Sequence, residues 1–254
     1  MAFVNITSPH AHGGNTTSRI MLWVILATVP GIIALTYFFG WGNLINIALA
    51  SVTALTCEAI ILAIRKRPIS FFLKDNSALL TAVLLGIALP PFAPWWVTVV
   101  AVTSAIIFAK HLYGGLGNNP FNPAMVGYAL VLISFPLQMT TTWATPFFLN
   151  SDQLLSFSDS LSVIFSSTAG LTDGFSGATA LGLANTGGVA ALADAGITWA
   201  DAFIGNLQGS VGEVSTLAIF AGGAVLLWTR IAAWRIVAGV MIGMIAMSLL
   251  LNLI

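Results

Sequence analysis

The sequence predicts an all-α, polytopic membrane protein with about seven membrane segments, and three observations carry that prediction. Hydrophobic residues make up 58% of the chain and charged residues 6%, against roughly 25% charged in an ordinary soluble domain. Apolar runs near the ~20 residues that cross a hydrocarbon core recur along the chain, more often than a buried soluble core would absorb. With the N-terminus cytoplasmic, all eight basic residues (Arg19, Arg65, Lys66, Arg67, Lys74, Lys110, Arg230 and Arg235) fall on one side. That asymmetry marks the cytoplasmic side.

Taken in order, the first span runs from about Ile20 to Phe39, with Trp41 at the interface that aromatic rings prefer and Pro30-Gly31 expected to bend it. The second, about Leu44 to Ile64, ends on the basic cluster Arg65-Lys66-Arg67. Ile69 to Asn76 leaves room for an interfacial turn. Ser77 to Leu89 is apolar but short, so it either crosses with help from Pro90-Pro91-Phe92-Ala93-Pro94 or forms one half of a broken helix.

A fourth span from Trp95 to about Phe108 delivers Lys110 and His111 to the basic side, where the turn Gly114 to Pro123 is rich in Gly, Asn and Pro. The fifth, about Ala124 to Leu137, closes an N-terminal membrane unit, residues 1–137. An insert follows over residues 138–213 that holds five aspartates and no Lys or Arg, and is therefore expected on the periplasmic side. Residues 214–254 carry spans six and seven, about Val214 to Trp228 and Ile236 to Ile254. Because the chain is still apolar at Leu249 to Ile254, further spans are expected in the full-length protein.

A net charge of zero argues against nucleic-acid binding. The lone Cys57, inside an apolar span, excludes an intrachain disulfide or a CxxC metal site. Met1 to Ser18 lacks the basic start and short apolar core of a cleavable signal, so the first span is expected to insert as an uncleaved anchor. His111 is a lone histidine at the interface and His10 and His12 lie in the leader, so no metal is expected.

Chemistry is expected at Asp173-Gly174-Phe175-Ser176-Gly177-Ala178-Thr179, within the insert. Its glycines let the backbone turn tightly, and Ala178 leaves the Thr179 hydroxyl open to a modifying enzyme. Taken alone, the same residue types also make an ordinary loop.

Four stretches decide between these readings: Thr17-Ser18-Arg19-Ile20-Met21, Leu73 to Leu80, Pro90-Pro91 with Ala93-Pro94-Trp95-Trp96, and Tyr113 through Tyr128. With them, in this order, the chain resembles the D-subunit family of Rnf-type ion-translocating electron-transport complexes, relatives of the B subunit of the Na+-pumping NADH:quinone reductase. The resemblance implies FMN joined by a phosphoester to Thr179, with Asp173, Ser176 and Gly177 in the recognition sequence of a flavin transferase working outside the cytoplasmic membrane. The side implied by that transferase agrees with the side read independently from the basic residues. The resemblance further implies a multi-pass subunit of the bacterial inner membrane, among lipid and other complex subunits. Such a subunit is not catalytic alone; it relays electrons in a ferredoxin- and NAD-linked complex that moves Na+ or H+.

The family's second, non-covalent flavin, riboflavin, makes Asn118, Asn119 and Asn122 candidates for part of its pocket. From the residues alone, Asn122 also suits a helix N-cap with Pro123 at the first helical position. Glu58, an acid inside a membrane span, suits an ion path; it equally suits snorkelling toward Arg65 or another base. Two other classes stay open on the residues alone: a small-solute channel or transporter without redox activity, and a purely structural membrane anchor.

Overall fold

The structure is a computed structural model that describes residues 16–144, 155–166, 180–204 and 215–251. Helices α1 (Thr17–Phe39) and α2 (Gly42–Ile64) each have 23 residues, about 34 Å of rise and enough to cross a bilayer. Thr16 caps α1 by accepting from the Arg19 amide (3.4 Å), and Gly40, at φ 79°, ends it. Pro30 lies inside α1 as the sequence requires.

After the short α3 (Ile69–Leu73), α4 (Ser77–Ala88) has 12 residues. Its rise of about 18 Å falls short of a hydrocarbon core. The descent is completed by the turn from Leu89 to Pro94, whose Leu89, Phe92 and Ala93 are buried. Pro90 and Pro91 leave carbonyls without helical donors, and Asn46 on α2 supplies them: its Nδ2 donates to Pro90 O (2.9 Å) and Pro91 O (3.1 Å). Asn46 Oδ1 in turn accepts from the Thr98 hydroxyl (3.2 Å) on the next helix. Irregular backbone at membrane depth is thereby satisfied from within the protein.

That next helix, α5 (Trp95–Ser104), continues as a π-helical segment over Ala105–His111. Then come α6 (Pro123–Ser134) and α7 (Pro136–Thr141). Three helices follow, α8 (Phe157–Ser166), α9 (Ala180–Asp194) and α10 (Trp199–Ile204). The last two, α11 (Thr216–Trp228) and α12 (Trp234–Leu251), are apolar. By length and composition α1, α2 and α12 can each cross a membrane, and α4, α5 with its π extension, α6 and α11 are shorter apolar helices.

The core is built on α2, α4, α5 and α6, with Ala50, Ala54, Ala82, Ala101 and Ala105 fully buried. Small residues bring the backbones together, as expected where lipid supplies no hydrophobic drive between helices. A Cβ on Gly86 would lie 2.7 Å from Ile47 Cα, and one on Gly127 would lie 2.5 Å from Ala101 O.

Helix α8 is amphipathic and buries Val163 and Ile164. Phe157 meets Trp41 edge-on (5.7 Å between ring centroids), and Phe165 stacks on Trp95 (6.5 Å, 9° between planes). Both tryptophans stand at the end of the bundle opposite the Arg65 to Arg67 cluster. This part of the insert therefore covers the end that the basic residues avoid.

Candidate functional site

At the basic end, Asn76 Nδ2 donates to Ser18 Oγ (3.0 Å) and ties the start of α4 to the start of α1. Between these helix ends lies a cavity of about 730 Å³, floored by Glu58, Lys110 and His111. Sequence reasoning left Glu58 with two readings, an ion path or pairing with Arg65 or another base, and in the structure the base beside it is Lys110. The Lys110 ammonium lies 2.7 Å from Glu58 Oε1 and 2.6 Å from Oε2.

An ammonium has three protons to donate, and the third goes to Ser77 Oγ at 2.7 Å. The Ser77 hydroxyl passes its own proton toward Asp75 Oδ1 (2.5 Å), which also accepts the Ser77 amide (2.7 Å). Glu58, Lys110, Ser77 and Asp75 thus form one continuous chain running from the interior to the interface. Glu58 and Lys110 are each only 2% exposed. Two buried charges persist at such a depth because each has the other and the third proton of the ammonium is met by Ser77.

His111, 5% exposed, stands beside the pair with Nε2 3.7 Å from Glu58 Oε1. Among the described residues neither of its ring nitrogens has a hydrogen-bond partner. Two consecutive side chains face inward here because the segment is π-helical: the wider turn shifts the register of the last residues before the loop. Its carbonyls are then closed off by the loop. Gly115 N donates to Lys110 O (3.0 Å), Gly114 N donates to His111 O (3.1 Å), and the Arg65 guanidinium donates to the same His111 oxygen (2.9 Å). Gly114, Gly115 and Gly117 all take positive φ (113°, 105° and 89°), so the wrap depends on glycine.

The three asparagines of the turn divide. Asn118 lines the cavity. Asn119 Nδ2 donates to Phe121 O (2.8 Å), and Asn122 Oδ1 accepts from the Ala124 amide (3.0 Å) as the N-cap of α6. Thr179, Asp173, Ser176 and Gly177 lie outside the described residues. What the sequence reading missed is the part played by Lys110 and His111. Their only signal was position, a lysine and a histidine placed just ahead of the glycine-rich turn.

The fold and this site define a multi-pass helical membrane protein with a buried carboxylate–ammonium pair beneath a basic mouth. The chain belongs to the NQR2, RnfD, RnfE family, whose model matches residues 4–254. It is 49% identical over 250 residues to the D subunit of the ion-translocating oxidoreductase complex of Ectopseudomonas mendocina, covering 98% of this chain and 70% of that relative. The corresponding D subunit of Marinobacter nauticus is 48% identical over 254 residues with the same coverage. That of Shigella dysenteriae is 47% identical over 246 residues, covering 93% of this chain and 69% of the relative.

Proposed function

We propose that this chain is a membrane subunit of an Rnf-type, redox-driven ion-translocating oxidoreductase, carrying FMN on Thr179 and relaying electrons between partner subunits. The observation that carries the reading is membership of the NQR2, RnfD, RnfE family along nearly the whole chain, joined to the Asp173 to Thr179 segment. Relatives with the words ion-translocating oxidoreductase in their names supply the reaction class.

Support for the side comes from the insert. Its helix α8 packs at the Trp41 and Trp95 end, away from the basic cluster. With the basic end cytoplasmic, that end is periplasmic, where a flavin transferase reaches Thr179. The Thr179 hydroxyl supplies the ester oxygen, and Asp173, Ser176 and Gly177 present the segment to the transferase. When bound, FMN supplies the electron chemistry, and the chain's part is to hold and orient it and to set its surroundings. For the second, non-covalent flavin, riboflavin, the support is narrower: Asn118 alone of the three asparagines lines the cavity.

Glu58 is the carboxylate of the ion path in this reading, with the Lys110 ammonium holding its place. A cation approaching Glu58 must displace that ammonium, so passage is linked to movement of Lys110. In-gel fluorescence of the denatured protein, made with and without the flavin transferase, tests the reading. Fluorescence that requires both the transferase and Thr179 is expected. No flavin with the transferase present, together with solute flux into vesicles without reductant, would instead support a channel.

A further inference from the structure

We infer that Asp75 is a second seat for the Lys110 ammonium, which swings between the buried Glu58 and the interfacial Asp75 as the transported cation reaches and leaves Glu58. The inference rests on the reading of Glu58 as the carboxylate of the ion path, and it names the residue that makes occupancy of Glu58 reversible. Asp75 acts through Lys110 and is a positioning residue.

The distances permit the swing. Ser77 Oγ accepts from the Lys110 ammonium at 2.7 Å and donates to Asp75 Oδ1 at 2.5 Å. Lys110 Nζ and Asp75 Oδ1 are therefore no further apart than those two bonds laid end to end, and a single hydroxyl separates the ammonium from a second carboxylate. Glu58, Lys110 and Asp75 also line the same cavity. Lys110 O is held by the Gly115 amide (3.0 Å), so the backbone stays in place while the flexible four-carbon stem moves. Ser77 is the pivot, because its hydroxyl rotates and its oxygen can accept from the ammonium in either seat.

Charge requires it. A cation on Glu58 sets two positive charges against one carboxylate, and a buried ammonium left without a counter-charge is strongly destabilising. Asp75 is open to receive it. Both bonds it accepts from Ser77 fall on Oδ1, and among the described residues Oδ2 has no hydrogen-bond partner and Asp75 makes no ion pair. Of the other bases lining the cavity, Arg65 donates to His111 O, the Arg67 guanidinium lies over the Phe72 ring (5.6 Å from its centroid), and Lys74 makes no ion pair among the described residues. On the vacated side of Glu58, His111 Nε2 lies 3.7 Å from Oε1 without a hydrogen-bond partner. As the acceptor of a neutral ring it would take the bond from a protonated Glu58 when the cation is H+.

The two seats differ in depth, Glu58 buried and Asp75 half-buried at the interface. Two carboxylates and one tethered ammonium leave a single negative charge for one mobile cation. With Lys110 on Glu58 that charge is on Asp75, at the mouth; with Lys110 on Asp75 it is on Glu58, inside. The swing therefore moves the cation-binding carboxylate between the interface and the interior.

Thermal unfolding of this chain within the assembled complex, followed through a fluorescent tag, tests the swing. Asp75→Asn keeps an oxygen for the Ser77 amide and hydroxyl, so alone it is expected to lower Tm only slightly. In a Glu58→Gln background, where Asp75 is the seat left to Lys110, the same change is expected to lower Tm at least roughly threefold further, a coupling between sites that share a partner. Adding Lys110→Met to that background is expected to return the loss to its size in the wild type. Equal losses from Asp75→Asn in the wild-type and Glu58→Gln backgrounds, the result of a turn-forming role alone, would overturn the inference. Ion uptake by proteoliposomes, with Na+ and H+ followed separately, is the second measurement. Asp75→Asn is expected to lower uptake by at least about tenfold in complexes that assemble as wild type does, a loss of about 1.4 kcal/mol per factor of ten, and Asp75→Glu is expected to recover most of it. Uptake by Asp75→Asn equal to wild type would also overturn the inference. Wild-type uptake by Glu58→Gln complexes would instead remove the ion-path reading, and the thermal comparison would still decide the swing.

Discussion

Lys110 Nζ contacts both oxygens of Glu58, at 2.7 and 2.6 Å, although the two residues are 52 positions apart and each is 2% exposed. Removing one partner of such a pair leaves an uncompensated buried charge, which costs about 3–5 kcal/mol, whereas replacing both by apolar residues is often neutral. Glu58→Leu and Lys110→Met are each expected to lower Tm strongly, and the double variant is expected to recover most of the loss. Thermal unfolding in detergent checks this. Additive losses would mean that the pair does not act as a unit. A stable double variant that assembles but no longer moves ions would separate the ion path from stability.

Asn46 gives the fold a second testable point. Asn46→Ala would strand the Pro91 carbonyl in the core, leave Pro90 O with the Ala93 amide alone, and orphan the Thr98 hydroxyl. The expected loss is about 1–3 kcal/mol for each unsatisfied buried group, partly relieved by any entering water. Hydrogen exchange over residues 90–98 should rise in parallel, and unchanged exchange there would show that the proline turn is held by something else.

The small-residue contacts predict a contrast between two glycines. At Gly127 a Cβ would meet Ala101 O at 2.5 Å, whereas at Gly239 nothing lies within 4 Å. Gly127→Leu is expected to destabilise by more than about 3 kcal/mol, by forcing α5 and α6 apart, while Gly239→Leu stays within about 1 kcal/mol of wild type. Detergent melting curves of the two variants decide it.

Helix α8 is joined to the bundle by aromatic pairs, Trp95 with Phe165 and Trp41 with Phe157. Such pairs contribute about 0.5–1.5 kcal/mol beyond their buried area. Trp95→Ala is therefore expected to raise proteolytic cleavage within residues 157–166 several-fold while leaving the global Tm nearly unchanged. Protection equal to wild type would mean that the stack does not hold the helix.

Much of this fold is legible in the sequence. The ends of α1, α2, α5 and α11 lie within a few residues of the bounds read from run length, because apolar runs and the basic residues that stop them are local features. Asn122 as N-cap and Pro123 as first helical residue are legible for the same reason. The partner of Glu58 is not. Its identity depends on which faces of α2 and α5 meet, and a π-helical segment alters the register that a regular helix would give Lys110 and His111. The short α4 stays open in the sequence between a crossing and a half-helix because the Asn46 bonds that complete its turn come from 44 and 45 residues away.

The central claim, a flavin ester on Thr179, is met most directly by the mass spectrum of the proteolytic peptide that contains Thr179, taken from protein made alongside its transferase. The account predicts a peptide heavier by FMN less one water, with fragment ions that place the addition on Thr179 and with no addition in Thr179→Ala. An unmodified peptide as the sole species, from protein made with an active transferase, would contradict it.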